Sequence, residues 1–303
     1  MKKLLILALV GLGAQLIDGA LGMGYGVTST TLLLLAGLSP AAASASVHLA
    51  EMGTNVASGL AHHKLGNTDW RLVLRLGVPG AIGAFLGATV LANLSTEGAT
   101  PVMAVILGLL GLYILIRFAL RPPRESRARV SPHRKKFLVP LGLVGGFVDA
   151  TGGGGWGPVT TTSLLSAGRT APRTVVGSVD TSEFLVSAAA SLGFLIGLGT
   201  AGINFAFAGA LLVGGLLAAP LAAWLVSRLP ARVLGTAVGG LILLTNLRTL
   251  LKGFGITGTP TTVAYLVVSV LWVVAVVIAI GRHRRNPAAA DDTEPELART
   301  TAS

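Results

Sequence analysis

The 303-residue sequence contains no cysteine, which excludes disulfides, thiolate metal centres and cysteine redox chemistry. Charge is also scarce: Asp, Glu, Lys and Arg together make up 12% of the chain. A water-soluble domain carries about twice that share, so an ordinary soluble fold is excluded. The HExxH, GxSxG and Walker signatures are missing as well. A membrane-embedded hydrolase built on the acids or His48 therefore lacks a constellation, and ATP-driven transport would need a separate subunit. What the chain has in abundance is apolar surface. Hydrophobic residues make up 52% of it, and the mean hydropathy is +0.76. These values belong to polytopic membrane proteins. The formal net charge of +11 is concentrated in short blocks between apolar stretches, a placement that reads as topology and not as a nucleic-acid face. No cofactor and no nucleic-acid partner is expected.

Apolar segments lie near 4–21, 27–38, 40–61, 70–94, 98–119, 137–151, 158–168, 172–197, 203–226, 233–250 and 261–281. Spanning the bilayer takes about 20 residues; the second, sixth and seventh segments are short for that. Helix-start signals precede several: Ser39-Pro40, Asp69 before Trp70, Ser95-Thr96 before Glu97, and Leu229-Pro230. The start MKKLLILALVGLGA has the basic and apolar parts of a signal peptide, but the repeat described below predicts that it is retained. Arg121, Arg124, Arg127, Arg129, Arg134, Lys135 and Lys136 predict a cytoplasmic central loop. Lys64, Arg71 and Arg75, Arg228 with Arg232, and the block at 282–285 predict further cytoplasmic positions. The turns near 93–98 and 197–203 carry no Lys or Arg and are expected outside. Lys2 and Lys3 fit this scheme less well, because it places the N-terminus outside.

The chain repeats itself. With Asp18 set on Asp149, DGALGMGYGVTSTTLLLLAG runs beside DATGGGGWGPVTTTSLLSAG. Gly22, Gly24 and Gly26 fall on Gly153, Gly155 and Gly157, Tyr25 on Trp156, and Thr30 and Thr31 on Thr161 and Thr162. After one inserted residue PAAASASVHLAE meets PRTVVGSVDTSE, so that His48 falls on Asp180 and Glu51 on Glu183. This predicts a duplication of roughly 130 residues, as expected of transporters. Segment 70–94 starts at a basic loop and its counterpart 203–226 at a neutral one, so the halves are expected to be inverted. The expected fold is an all-α polytopic membrane protein with two inverted-topology repeats. Each repeat has about five helical segments, a short broken or re-entrant hairpin plus three spans, and one extra C-terminal helix follows. The expected boundaries are 1–120 for the first repeat, 121–136 for the basic loop, 137–252 for the second repeat, 253–281 for the additional helix and 282–303 for a disordered tail.

Each glycine run separates two apolar pieces. Backbone cannot stop being helical in hydrocarbon unless protein or a water-filled cavity satisfies the freed groups, each at stake for several kcal/mol. The runs are therefore expected to be helix breaks buried in the bundle, with amides and hydroxyls at helix N-termini that suit an oxyanion. The predicted substrate-binding residues are Gly22, Gly24, Tyr25, Gly26, Thr28, Ser29 and Thr30, and in the second half Gly153, Gly154, Gly155, Trp156, Gly157, Thr160 and Thr161. Thr31, Thr162 and Ser163 continue the hydroxyl runs, and Pro158 directly after Gly157 signals a helix start. The glycines could instead serve close helix packing alone.

Acids in a membrane segment are functional candidates, since one at mid-bilayer costs at least about 2.5 kcal/mol on insertion scales. Asp18, Glu51, Asp149 and Glu183 meet that description, and His48, Asn55 and Asp180 extend the stripes at helical spacing. Ionised carboxylates would repel an anion, so coupling to protons is their predicted role, with gating as part of it. Asp18 and Asp149 could instead hold the breaks by bonding freed amides. His62 and His63 adjoin Lys64 and read as interfacial, while Asn204, Asn246 and Arg248 stand too isolated to assign.

The glycine-run hairpin, the helix bearing SVHLAEMGTN, the turn HHKLGNTDW and RLVLRLGVPGAIGAFLGATV resemble the sulfite exporter TauE/SafE family, also called the toluene sulfonate uptake permease family. The resemblance covers 4–119 and 137–250. It implies a membrane carrier for sulfite, sulfonates or related sulfur-containing anions. GALGMGYG is less glycine-dense than GGGGWG, so the two breaks are expected to be unequal. The expectation is a secondary transporter in the cell's inner membrane, exporting a small sulfur-containing anion by alternating access with proton coupling, with a channel as the alternative. Protons and the lipid bilayer are its expected partners, and an oligomer is compatible with the sequence.

Overall fold

The structure is a computed structural model that describes residues 2–21, 23–120, 128, 130–226 and 231–285. Its described residues form helices and connecting turns, with no strand among them. The helices are α1 (Lys2–Leu21), α2 (Tyr25–Leu35), α3 (Pro40–Lys64), α4 (Trp70–Asn93), α5 (Thr96–Leu120), α6 (Lys135–Gly152), α7 (Thr162–Ala167), α8 (Pro172–Leu198), α9 (Phe205–Val226), α10 (Ala231–Gly253) and α11 (Thr259–Arg285). A π-helical stretch, Gly157–Thr161, runs straight into α7. The chain is an all-α polytopic membrane protein. Five stretches among the described residues are long and apolar enough to cross a bilayer: Trp70–Asn93, Thr96–Leu120, Pro172–Leu198, Arg232–Lys252 and Thr259–His283.

Start signals act as their chemistry dictates. The Asp69 carboxylate accepts the Arg71 and Leu72 amides at 2.9 and 3.4 Å and opens α4. Ser39 Oγ accepts the Ala42 amide at 3.4 Å, with Pro40 in the first turn of α3. Each apolar segment expected from the sequence coincides with a helix, with ends shifted by a few residues. The seventh carries the π-helical stretch as its first part. Gly22, most of the central loop (121–127 and 129), the turn 227–230 with Arg228, and 286–303 lie outside the described residues, as does the side chain of Arg248.

Packing crosses between the two halves of the sequence. Helix α4 lies on α6 and α8, α9 lies on α1 and α3, α5 pairs with α10, and α3 pairs with α8. Contacts along α4 advance with α6: Gly142 faces Leu76 and Pro79, and Gly87 faces Phe147 and Ala150. These two helices are parallel. Glycine lets them touch through their backbones, because a Cβ on Gly83 would strike the Leu143 carbonyl and one on Gly146 the Gly80 carbonyl. The same approach recurs at α1 and α9, where a Cβ on Gly11 would strike the Leu211 carbonyl as one on Gly142 would strike that of Leu76. Helices α3 and α8 are antiparallel, since Glu51 reaches Ser187 and Gly59 faces Thr181. So are α5 and α10, where Gly108 faces Leu250 and Gly235 faces Phe118. Helix α11 packs on α10 and α5 and is only 6% buried across its apolar window.

Candidate functional site

Two breaks interrupt the bundle, between α1 and α2 and between α6 and the π-helical stretch, and the same side-chain device closes each. The Tyr25 amide donates to Asp18 Oδ1 at 3.2 Å, and the Trp156 amide donates to Asp149 Oδ1 at 2.9 Å. Each acid thus satisfies the first free amide of the next helical piece. Left-handed backbone makes the turns: Gly24 has φ 118, Gly153 φ 68 and Gly154 φ 140, conformations that side chains with a Cβ disfavour. The Gly154 amide returns to the Asp149 carbonyl at 2.8 Å.

The breaks lie against each other. A Cβ on Gly26 would sit 2.6 Å from Gly154 Cα, and one on Gly157 would sit 2.7 Å from Met23 Cβ. Gly154 itself rests on the Gly26–Val27 peptide, where an anion drawn to the N-terminus of α2 would otherwise lie. Thr30 Oγ1 donates to the Gly153 carbonyl, and Ser44 Oγ to the Ala150 carbonyl at 2.7 Å, so the first half supplies hydroxyls to the second half's break. The aromatic after each run is anchored from its far end. Tyr25 Oη donates to the Leu211 carbonyl at 3.2 Å, and Trp156 Nε1 donates to that of Val179 at 3.1 Å.

The predicted hydroxyls divide into two groups. Thr160 Oγ1 donates to the Trp156 carbonyl, Thr162 to Pro158 and Ser163 to Val159, all within their own helix. These hydroxyls are paired inside the helix in this conformation. Thr28 and Thr161 are buried, and their hydroxyls have no hydrogen-bond partner, while the buried Ser29 hydroxyl lies within hydrogen-bonding reach of the Tyr25 side chain. Buried hydroxyls left unpaired cost about 1–3 kcal/mol each, which makes Thr28 and Thr161 the candidates for contact with a ligand. Gly155 is buried, with Val148 and Leu110 nearest the place a Cβ would take.

Beside the second break lies a titratable cluster. His48 Nδ1 is 2.9 Å from Glu51 Oε2 and 3.8 Å from Asp149 Oδ2, and all three residues are buried. Ser187 Oγ donates to Glu51 Oε2 at 3.3 Å, Phe194 stacks on the imidazole at 6.2 Å, and His48 Nε2 has no partner. The other half answers with acids alone: Asp180, half-buried, accepts a hydrogen bond from Ser58, and its charge is felt by Asp18. Glu183, also half-buried, lies within electrostatic range of Glu51, Asp149, Asp18 and Asp180. Asn55 is buried with its amide nitrogen unpaired. The structure thus gathers every described predicted acid and His48 around the touching breaks. Sequence reasoning left Asn246 unassigned, yet its amide donates to Thr31 Oγ1 at 3.3 Å and to the Ile242 carbonyl at 2.8 Å, tying α10 to α2. A polar residue in an apolar helix was the signal for it. Ser187 was legible as the end of the stripe that Asp180 and Glu183 begin at helical spacing, whereas Ser44 and Phe194 carried no signal separable from ordinary helix composition.

Comparison with known proteins finds related sequences. A family profile described as "Sulfite exporter TauE/SafE" matches residues 7–249. A Bacillus subtilis (strain 168) protein named "Probable membrane transporter protein YtnM" is 48% identical over 282 residues, 93% of this chain and 94% of the relative. No solved structure matches.

Proposed function

The chain belongs to the sulfite exporter TauE/SafE family, and on that premise we propose that it is a secondary transporter that exports a small sulfur-containing anion by alternating access coupled to protons. The family and the relative's name support membrane transport and point away from an enzyme. The observation that carries the finer reading is the pair of touching breaks, beside which the buried Thr28 and Thr161 hydroxyls and His48 Nε2 lack partners. Hydroxyl donors of this kind are what an oxyanion takes as partners.

Two inverted repeats, 1–120 and 137–252 with a basic loop 121–136 between them, are the framework of this reading. It is supported by the antiparallel pairing of α3 with α8 and of α5 with α10, and by the repeat-related backbone approaches at Gly11 and Gly142. In this conformation Gly154 fills the N-terminus of α2, and the unpaired hydroxyls are sealed from solvent. Binding an anion there requires the two breaks to part, and parting from one face or the other is alternating access. Five carboxylates around the site oppose an anion when ionised. A protonated His48 flanked by Glu51 and Asp149 offsets part of that charge, and loss or gain of protons in this cluster would release or admit the substrate. The residues proposed for binding are Gly24, Tyr25, Gly26, Thr28, Ser29, Thr30, Gly153, Gly154, Gly155, Trp156, Gly157, Thr160 and Thr161. Those proposed for coupling are Asp18, His48, Glu51, Asn55, Asp149, Asp180 and Glu183.

The test is flux in proteoliposomes with sulfite, sulfate, thiosulfate and several sulfonates, each with and without a pH gradient. Saturable flux of a sulfur anion that follows the gradient supports the proposal. Flux that is conductive and indifferent to the gradient sinks it in favour of a channel.

A further inference from the structure

A second anion-attracting feature lies away from the breaks, where the central loop meets α6. There a cleft of about 560 Å³ is lined by His133, Arg134, Lys136, Phe137 and Arg169 together with Pro132 and Ala167. That volume falls within the ~300–1,000 Å³ range of ligand clefts. Three cations line it, with no carboxylate among its described lining residues. Among the described residues none of the three forms an ion pair.

The cleft is built and not a chance gathering of surface side chains. The Ser131 amide donates to Asp69 Oδ2 at 2.8 Å, and the Ala171 amide donates to the Ala128 carbonyl at 2.8 Å. These bonds pin the loop to the start of α4 and to the α7–α8 connection. The same Asp69 caps α4, so the cleft wall is fixed to a spanning helix. His133 is 7% exposed, its ring lies 5.1 Å from that of Phe137, and its Nε2 is buried with no hydrogen-bond partner. Burial, and after it the Arg169 guanidinium, hold the His133 imidazole below its ordinary range. That direction is what a site lacking negative charge produces. Arg134 makes no side-chain cap for α6, which leaves the positive end of that helix dipole facing the same region.

Immediately along α6 the surface turns apolar and outward. Phe137, Val139, Val144 and Phe147 are exposed one after another, the character of a face covered by lipid tails. A cationic cleft at the edge of such a face has the arrangement that holds a headgroup phosphate while the acyl chains lie along the helix.

We propose that this cleft is a binding site for a phosphate group, held by Arg134, Lys136 and Arg169 with His133 Nε2 as a further hydrogen-bonding group. The phosphate can come from an anionic lipid headgroup or be free in solution. The site is separate from the proposed transport site and does not rest on the substrate assigned there.

The experiment uses the full chain purified in detergent. Native mass spectrometry measures retention of added phosphatidylglycerol against phosphatidylcholine, and thermal unfolding is followed with increasing inorganic phosphate. The variants are Lys136→Gln/Arg169→Gln and, separately, His133→Gln. Preferential retention of phosphatidylglycerol, weakened about tenfold or more in the double variant, supports the proposal with a lipid source. A phosphate-dependent rise in Tm that the double variant loses supports it with a free source. No preference and no Tm rise in the unaltered chain overturns it, as does equal retention by the unaltered chain and both variants. His133→Gln keeps all three cations, so it keeps the proposal testable if the double variant fails to fold.

Discussion

At Asp149 the two carboxylate oxygens have different surroundings: Oδ1 accepts the Trp156 amide proton, and Oδ2 faces His48 at 3.8 Å. Holding the break and carrying a proton are therefore separable by substitution. Asp149→Asn keeps an oxygen for the Trp156 amide but cannot titrate, so it should retain the unaltered Tm while its transport loses pH dependence. Asp149→Ala loses the cap as well and should be less stable by about 0.5–2 kcal/mol. Thermal unfolding and pH-dependent flux of the two variants decide it: a full pH response in Asp149→Asn would leave this acid a structural role only. The glycines separate in the same way. Gly154→Ala puts a side chain at φ 140 and into the Gly26–Val27 backbone, where the strained φ alone costs on the order of 1–3 kcal/mol. A Cβ on Gly155 comes closest to the Val148 and Leu110 side chains, at 3.1 and 3.3 Å, with Asp149 Cα at an ordinary contact distance of 3.5 Å. Gly154→Ala should accordingly fail to give folded protein, whereas Gly155→Ala should fold with a modest loss of Tm, as size-exclusion profiles and unfolding curves will show. Gly154 was named from the sequence as a binding glycine, but the sequence could not reveal that it abuts the opposite break. Contact between residues more than a hundred positions apart leaves no local pattern.

Elements in this protein depend on partners from the other half. Helices α4 and α6 approach at Gly83 and Gly146 until a carbonyl occupies the place of a side chain. In lipid, where no hydrophobic force drives helices together, such close van der Waals packing is what holds them. Gly83→Leu should force α4 from α6 and lower the Tm in detergent by an amount matching about 1–3 kcal/mol or more of overpacking. Ile82→Leu, next to it but exposed, should leave the Tm unchanged; equal effects of the two would mean that this interface contributes little. Helix identities were legible beforehand because apolar runs and start signals such as Asp69 and Ser39-Pro40 act locally. The π-helical stretch at Gly157–Thr161 was not. There Pro158 has no amide proton to donate and Thr162 bonds back to its carbonyl, a local rearrangement that apolar periodicity does not encode.

For the whole molecule, the proposed inverted arrangement makes a topological prediction that the absence of cysteine renders simple to test. Leu65→Cys, in the α3–α4 turn, and Ser95→Cys, between α4 and α5, both stand at exposed positions. A membrane-impermeant maleimide added to sealed right-side-out vesicles should label Ser95→Cys and leave Leu65→Cys unlabelled until the membrane is opened. The reverse pattern would overturn the cytoplasmic assignment of the basic loops. Single cysteines in the second half, at the exposed Asn204 and Arg169, extend the comparison: Asn204→Cys should label from outside and Arg169→Cys should not.

Composition and order of residues alone determined the solvent of this protein, the course of its described helices and its family, and they carry the proposed kinship of its two halves. Each follows from local or summed properties: apolar run length, capping chemistry and repeated strings. Tertiary structure alone decided that the two breaks meet, and that Gly154 closes the N-terminus of α2. It alone divided the hydroxyls, with Thr28 and Thr161 left unpaired while Thr160, Thr162 and Ser163 bond within their own helix. It also joined His48 to Asp149 as well as to its neighbour Glu51, and brought Asn246 to Thr31. The physical reason is the same in each case. Helical spacing links residues three or four positions apart, but which faces press together depends on how closely glycine lets distant backbones approach, and that is a property of the packed bundle.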